Sequence, residues 1–498
     1  MNYKSKHYSK KNSAKKNKFR NELCSDNMTF QDCELAILRN AVDETEKLKG
    51  EKILQNEEIK KILNIVEQFL RKNKLVCYGG TAINEILPKE AQFYNRDIEI
   101  PDYDFYSTDA MNDAKNLADI YYKAGYTEVE AKSGVHYGTY KVFVNFIPIA
   151  DITQLHKNIF KTIYKEAITV SGIKFSPPNF LRMNMYLELS RPAGDVSRWE
   201  KVLKRLNLLN KYYPLKTHND KCEKIDFQVK PDDNKDNNEK LYIITRDALI
   251  DQGVIFFGGY ATSLYSKYMK DEERHKVRKI PDFDVLAEDI DKCADILKER
   301  LIEEGYKNIT LIEHEEIHEI IPKSLELKVG NKTIAFIYKP IACHSYNSIK
   351  ISGKNIHIAT IDTILTFYLA FIYANEQHYN KDRLLCMANY LFEVEEHNRL
   401  ENKGLLKRFS VNCYGKQLTL EDIRSEKAAK FKELANKKEG KEYQQWFLKY
   451  MPGYKANDKT DKTDKNKTRK VRSIEKETDI PMNNKKTNVI KEETGFLF

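Results

Sequence analysis

Between residues 75 and 106 the chain alternates apolar runs with turn residues: LVCYGGTAINEILPKEAQFYNRDIEIPDYDFY. The pattern predicts an apolar strand entering the pair Gly79-Gly80, a short helix over 82–87, and a loop ending in Pro101-Asp102-Tyr103-Asp104-Phe105. Further on, the apolar run 142–150 reads as one strand that delivers Asp151. The stretch 361–374 is the most apolar of all, yet it is too short and too interrupted to span a bilayer. The N-terminus lacks the apolar core of a signal peptide, so an intracellular protein with no membrane partner is expected.

The same pattern occurs twice. VCYGGTA at 76–82 is matched by IFFGGYA at 255–261, and IPDYDF at 100–105 by IPDFDV at 280–285. From the first glycine to the first aspartate is 23 positions in one copy (79 to 102) and 24 in the other (258 to 282). A helical pattern ending in Gly-Tyr follows each, at 125–126 and 305–306. Two related α/β (α+β) domains in tandem are predicted. The division expected is a basic arm and helical region at 1–50, a first domain at 51–213, a linker at 214–240, a second domain at 241–395, a helical region at 396–452 and a charged tail at 453–498.

The chemistry lies in the carboxylates. Alternate residues of a strand share a face, so Asp102 and Asp104 stand side by side, a costly arrangement without a cation between them. Asp151 supplies a third carboxylate from a later strand, and hard divalent ions take such oxygen ligands and share them with phosphate. Gly79 and Gly80 permit close backbone approach to a phosphate, and Thr81 adds a small hydroxyl. The helix after Arg191 places Arg198, Lys201 and Arg205 at spacings of three and four, a cationic face for a triphosphate or an RNA backbone. In the second copy Tyr260 replaces Thr81 and would crowd the turn. FIPIAD at 146–151 aligns there with YKPIAC at 338–343, so Cys343 replaces the third carboxylate. Thiols suit Mg²⁺ poorly, so the second copy is expected to have kept the fold and lost the activity.

Composition adds less. The net charge of +10 is concentrated in part in a lysine-rich arm over 1–20, able to neutralise RNA phosphates or simply to solubilise. Eight scattered cysteines without a CxxC pair suggest neither a zinc ribbon nor a disulfide framework. His314-Glu315-Glu316-Ile317-His318 fits the H-E-x-x-H zinc-protease pattern, but Pro322 follows closely and the repeat puts a strand or loop there, not a helix.

GGTA followed by DYD and a later strand-borne aspartate resembles the DNA polymerase β-type nucleotidyltransferase superfamily. The whole chain resembles the poly(A) polymerase catalytic subunit of large DNA viruses, poxvirus and giant-virus type, over residues 50–215 and again over 240–395. The resemblance implies tandem nucleotidyltransferase-like domains, the second degenerate, and polyadenylation of an RNA 3′ end from ATP. It implies two Mg²⁺ or Mn²⁺ ions at Asp102, Asp104 and Asp151, with nucleotide and primer held near Arg198, Lys201 and Arg205. It also implies a partner, either a second copy or a viral processivity subunit, and action in the host cytoplasm (the viral factory), with packaging in the virion left open. A uridylyl- or CCA-adding enzyme would share the site and differ in the base pocket; a non-catalytic RNA-binding protein could keep the fold alone.

Overall fold

The structure is a computed structural model that describes residues 28–54, 57–94, 101–215, 235–277, 282–317, 320–374, 378–398 and 400–453, with residues 23, 24, 222 and 376. The basic arm over 1–20, the tail from 454 and most of the expected linker lie outside these. The chain divides into two compact units, 1–64 with 93–101, and 65–92 with 102–498. In the first, α1 (Phe30–Leu54) starts at a reciprocal cap: Thr29 N donates to Asp32 Oδ2 and Asp32 N to Thr29 Oγ1, both at 3.2 Å. The second unit holds both copies of the repeat.

The end of α2 (Glu57–Lys72) leads into the first copy with Val66, Phe69 and Leu70 buried. Then come β1 (Val76–Cys77), α3 (Gly79–Ile86), β2 (Tyr103–Ser107), α4 (Ala110–Lys123), β3 (Val129–Ser133), β4 (Thr139–Val144) and β5 (Ile147–Gln154). α5 (Lys157–Glu166), β6 (Ile168–Val170), β7 (Ile173–Phe175), α6 (Pro178–Leu189) and α7 (Trp199–Tyr212) complete it. The run 142–150 is therefore not one strand. Asn145 (φ 50°) and Phe146 (φ 65°) turn it into a hairpin, the left-handed pair that a two-residue turn between twisted strands requires.

The second copy opens with α8 (Lys235–Asp251), which begins inside the stretch expected to be linker. It continues with β8 (Ile255–Phe257), α9 (Gly258–Tyr265), α10 (Asp271–Val277), β9 (Phe283–Leu286), α11 (Ile290–Glu303), β10 (Ile309–His314) and β11 (Ser324–Val329). β12 (Lys332–Tyr338), β13 (His344–Ile351), β14 (Lys354–Ala359), α12 (Ile361–Ala374) and α13 (Lys381–Asn398) follow. β15 (Cys413–Tyr414), α14 (Leu420–Glu433), α15 (Lys441–Phe447) and β16 (Lys449–Tyr450) end the described chain.

The repeat is written into the sheets. The strand orders are β3-β4-β5-β2-β1-β7-β6 and β10-β11-β12-β9-β8-β14-β13, with β16 added beside β3 and β15 beside β13. Strand directions match as well: β2/β5 and β9/β12 are parallel, β1/β2 and β8/β9 antiparallel, β1/β7 and β8/β14 parallel. The equivalent helices α6 and α12 meet, with Phe180 edge-on to Tyr373 at 5.1 Å, and Ser345 N donates to Ser190 O at 2.8 Å. α12, the apolar stretch, is buried along its whole length, which explains why it carries no polar face.

Two corrections follow. Six of the eight cysteines are bonded in pairs, Cys24–Cys33, Cys222–Cys386 and Cys343–Cys413, leaving Cys77 and Cys293 free. Partners separated by up to 164 residues give no local spacing signal, so only the fold brings them together. And His314 ends strand β10, where it bonds Glu326 at 3.1 Å. The zinc-protease pattern thus lacks its helix at this histidine, as expected, while His318 lies outside the described residues.

Buried charge fixes the helices. The buried Arg182 of α6 donates to Asn210 Oδ1 at 2.7 Å, to Asn179 Oδ1 and to the Tyr213 carbonyl, tying α6 to the end of α7. Arg408 bridges Asp362 of α12 (2.8 Å) and Glu395 of α13 (2.5 Å). Burial first, and then the charge of Asp362, push the Glu395 carboxyl up to about 8 against the pull of Arg408. A carboxyl with a folded pKa above its unfolded one is protonated preferentially in the fold, so it favours folding at low pH and that contribution is lost as pH rises from about 4.5 to about 8. Glu395→Gln is predicted to flatten this slope in urea denaturation measured across that range. Arg408→Ala, which strands a buried carboxylate, is predicted to cost about 3–5 kcal/mol in the same assay.

Candidate active site

Three neighbouring strands in one register build the site. Lys141 on β4 pairs with Asp151 on β5, and Asp151 with Asp104 on β2. Both aspartates are buried, while Asp102 lies at the rim, one residue before β2, and keeps contact with solvent. Lys141 Nζ contacts Asp151 Oδ2 at 2.7 Å. This lysine escaped the sequence reading, although its place on an alternating strand (Thr139, Lys141, Phe143) was the available signal.

Gly79 sits over the carboxylates because nothing larger can. Its φ is +71°, and a Cβ there would come within 2.6 Å of Asp104 Oδ2. Gly79 and Gly80 start α3, so the first N–H groups of that helix open toward the site. The Thr81 hydroxyl donates to the Asp102 carbonyl at 2.7 Å and braces the aspartate loop against the helix. It holds the loop, in addition to any ligand it could meet.

Beside the glycines lies an open cavity, about 560 Å³ of space when its open mouth is included. Tyr78, Tyr106, Asn184, Glu188 and Arg205 line it with apolar side chains of α3, α6 and α7. Of the three predicted cations, the buried Arg205 faces this cavity. Arg198 contacts Glu188 (Nε to Oε1, 3.4 Å), and its charge reaches Asp104; Lys201 lies on the exposed side of α7, outside the lining. Tyr78 stacks on Tyr106 at 4.0 Å, and its hydroxyl shares a 2.9 Å hydrogen bond with Thr153. Thr153 lines a second, larger cleft of about 1630 Å³, with Arg191, Lys323 and Lys339. The Tyr78–Thr153 hydrogen bond thus joins the linings of the two openings.

The electrostatics call for a cation. Burial holds Asp104 well above the ordinary carboxylate range, reinforced by Asp102 and Asp151 and opposed by Lys141 and Arg198. Asp102 is pushed up to about 6, by burial and then by Asp151. Asp151 is raised by burial, with Lys141 opposing. Asp104 Oδ1 is sheltered and has no hydrogen-bond partner. Among the described residues no three His, Cys, Asp or Glu side chains yet converge on one point, and Asp151 is turned to Lys141. The donor set nevertheless fits a hard divalent ion: carboxylate oxygens only, one of them orphaned, crowded by like charge.

The second copy shows what the same frame looks like without this set. The strand partner of Asp284 is Phe336, and that of Phe336 is Glu326, so Phe336 and Glu326 stand where Asp151 and Lys141 stand. Cys343 is therefore not the counterpart of Asp151. It lies beyond β12, bonded to Cys413, and the shared Pro-Ile-Ala letters misaligned the strands. The third carboxylate is missing all the same. Tyr260 does not crowd the turn either; it is buried against Phe256 (4.8 Å) and Phe283 (5.4 Å). Asp282 is occupied by Arg383 at 3.2 Å.

The comparisons agree with this frame. Residues 64–195 match the family model for the poly(A) polymerase catalytic subunit. A protein of African swine fever virus assigned as a poly(A) polymerase catalytic subunit is 35% identical over 164 residues, 32% of this chain and 34% of that one. A protein of Acanthamoeba polyphaga mimivirus assigned the same way is 27% identical over 305 residues, 56% of this chain and 50% of that one. The chain thus spans about a third to a half of these relatives in the matched regions. The crystal structure of the Megavirus polyadenylate synthase superposes with a TM-score of 0.69 at 21% identity, over 83% of this chain and 86% of that one, which shows a shared fold. The first copy is thus similar in sequence to the viral poly(A) polymerase catalytic subunits.

Because Asp104 is a buried charge between two others, Asp104→Asn is predicted to stabilise the metal-free protein by about 1 kcal/mol or more. Wild type is predicted to gain melting temperature when Mg²⁺ is added and the variant to gain none, both read by thermal unfolding with and without the ion.

Proposed function

We propose that the chain is a template-independent nucleotidyltransferase that adds AMP from ATP to an RNA 3′ end, a poly(A) polymerase. The observation that carries this reading is the placement of Asp104 and Asp151 in register on parallel strands beneath the Gly79 turn, with an open cavity beside the glycines and a cleft lined by Arg191, Lys323 and Lys339 beyond Thr153. The similarity of residues 64–195 to the viral catalytic subunits supports it.

Each residue then has a task. Gly79, Gly80 and the start of α3 receive the triphosphate, and Arg205, with Arg198 behind it, balances its charge. The RNA end approaches from the cleft lined by Arg191, Lys323 and Lys339. Its 3′-oxygen bonds to the α-phosphorus of ATP as the bond to pyrophosphate breaks, and the hydroxyl proton leaves to solvent. Asp102, Asp104 and Asp151 would hold two Mg²⁺ or Mn²⁺ ions, which supply the charge that acidifies the attacking hydroxyl and stabilises the leaving pyrophosphate. Lys141 keeps Asp151 compensated in their absence. The division of labour proposed is catalysis by residues 51–213 and a degenerate partner domain at 241–395. A second copy or a viral processivity subunit as partner, and action in the host cytoplasm, belong to the same proposal and are supported only by the viral source of the relatives.

Primer extension on a short labelled RNA, with Mg²⁺ or Mn²⁺ and each NTP separately, tests the reading. A long tail is expected with ATP alone. Asp102→Ala, Asp104→Ala and Asp151→Ala are each expected to abolish it with the fold intact by circular dichroism. Extension with UTP alone or with all four NTPs would keep the transferase and discard polyadenylation. Substantial activity in any of the three variants would overturn the site.

A further inference from the structure

The cavity beside Gly79 and Gly80 contains a polar side chain that the transfer chemistry leaves unused. Asn184, on α6, donates from Nδ2 to the Tyr106 hydroxyl at 3.4 Å. That bond sets the orientation of the amide, and Oδ1 is left sheltered from solvent with no hydrogen-bond partner. A buried acceptor without a partner is unfavourable and marks a place where a ligand donor belongs. Its surroundings, Ile83, Leu181, Met185 and Val202, are too apolar for a phosphate and suit the face of a base. Gly79, Gly80 and Arg205 provide the polar end of the same cavity.

The second copy provides an internal control. Phe175 pairs with Cys77 and Ile358 with Phe256, and α6 and α12 each begin three residues further on. Counting from there, Asn184 corresponds to Phe367; by the pairing of Val76 with Tyr106 and Ile255 with Leu286, Tyr106 corresponds to Leu286. Phe367 packs 4.7 Å from Phe257, the counterpart of Tyr78, within an aromatic cluster. The hydroxyl and amide pair thus occurs in the copy that has the third carboxylate and is replaced by apolar side chains in the copy that lacks it.

We propose that Asn184 selects the base of the incoming nucleotide, its Oδ1 accepting from the exocyclic amino group of adenine. An acceptor at this point rewards a base edge that carries an amino donor and repels the keto oxygen that guanine or uracil would present. Tyr106 is a positioning residue: its hydroxyl keeps the amide from turning its own donors toward the base. The inference rests on the nucleotide-transfer reading above and adds a residue to it.

Equilibrium binding of ATP and of inosine triphosphate, which has a carbonyl in place of the amino group, tests this on the full chain with Mg²⁺. Wild type is expected to prefer ATP by at least about tenfold, in the range that a site built around a hydrogen bond can reach. Asn184→Leu, shown folded by thermal unfolding, is expected to bind the two within about twofold, and Tyr106→Phe to lose part of the preference with the cavity volume kept. An unchanged ratio in Asn184→Leu, or in Tyr106→Phe if the first does not fold, overturns the assignment, as does a wild type that binds both equally while extending RNA. A wild type that binds neither triphosphate removes the transfer reading itself and this inference with it.

Discussion

The site depends on a conflict of charge. Asp104 and Asp151 are buried opposite each other on parallel strands, with Asp102 at the rim, and burial and mutual repulsion oppose their ionisation. Lys141 relieves part of this from the next strand, and Arg198 part of it from the helix side. What remains, including an unpartnered oxygen on Asp104, is a place that a hard cation would complete. A fold selected only for stability would not keep such a cluster, which makes function the economical reason for it.

The second copy isolates what this cluster requires. Strand order, strand direction and the positive-φ glycine are all retained: Gly258, at φ +62°, leans on Asp284 as Gly79 leans on Asp104. What differs is Phe336 for Asp151, Glu326 for Lys141, and the lining of the equivalent cavity beside Gly259, where Tyr338, Tyr368, Phe371 and Arg383 stand. Arg383 neutralises Asp282, and burial and Asp282 push Asp284 up to about 8. The same frame is thus kept with Phe336 and Glu326 in place of the acid and the lysine and with Arg383 compensating Asp282. The frame and the carboxylate set are separable within one polypeptide.

Much of this was legible in the chain. The glycine turn, the paired aspartates and their repetition fixed two α/β domains and the first carboxylates, because those features are local. What was not legible depends on register. Letter matching paired Asp151 with Cys343, whereas strand pairing puts Phe336 there. The 142–150 run looked like one strand because Asn145-Phe146, with no glycine, is an unobtrusive turn. Lys141, Tyr106 and Asn184 enter the site from separate strands and a helix, and no spacing along the chain announces them. The disulfide pairs were hidden for the same reason.

The central claim is that one of the two equivalent frames, the first, binds the nucleotide with its metal ions. Calorimetric titration of ATP in the presence of Mg²⁺ into the full chain tests it most directly, with wild type beside Asp104→Asn and Asp284→Asn. The account predicts one ATP per chain, lost in Asp104→Asn and retained in Asp284→Asn. Two ATP per chain, or binding that survives Asp104→Asn and disappears in Asp284→Asn, would contradict it.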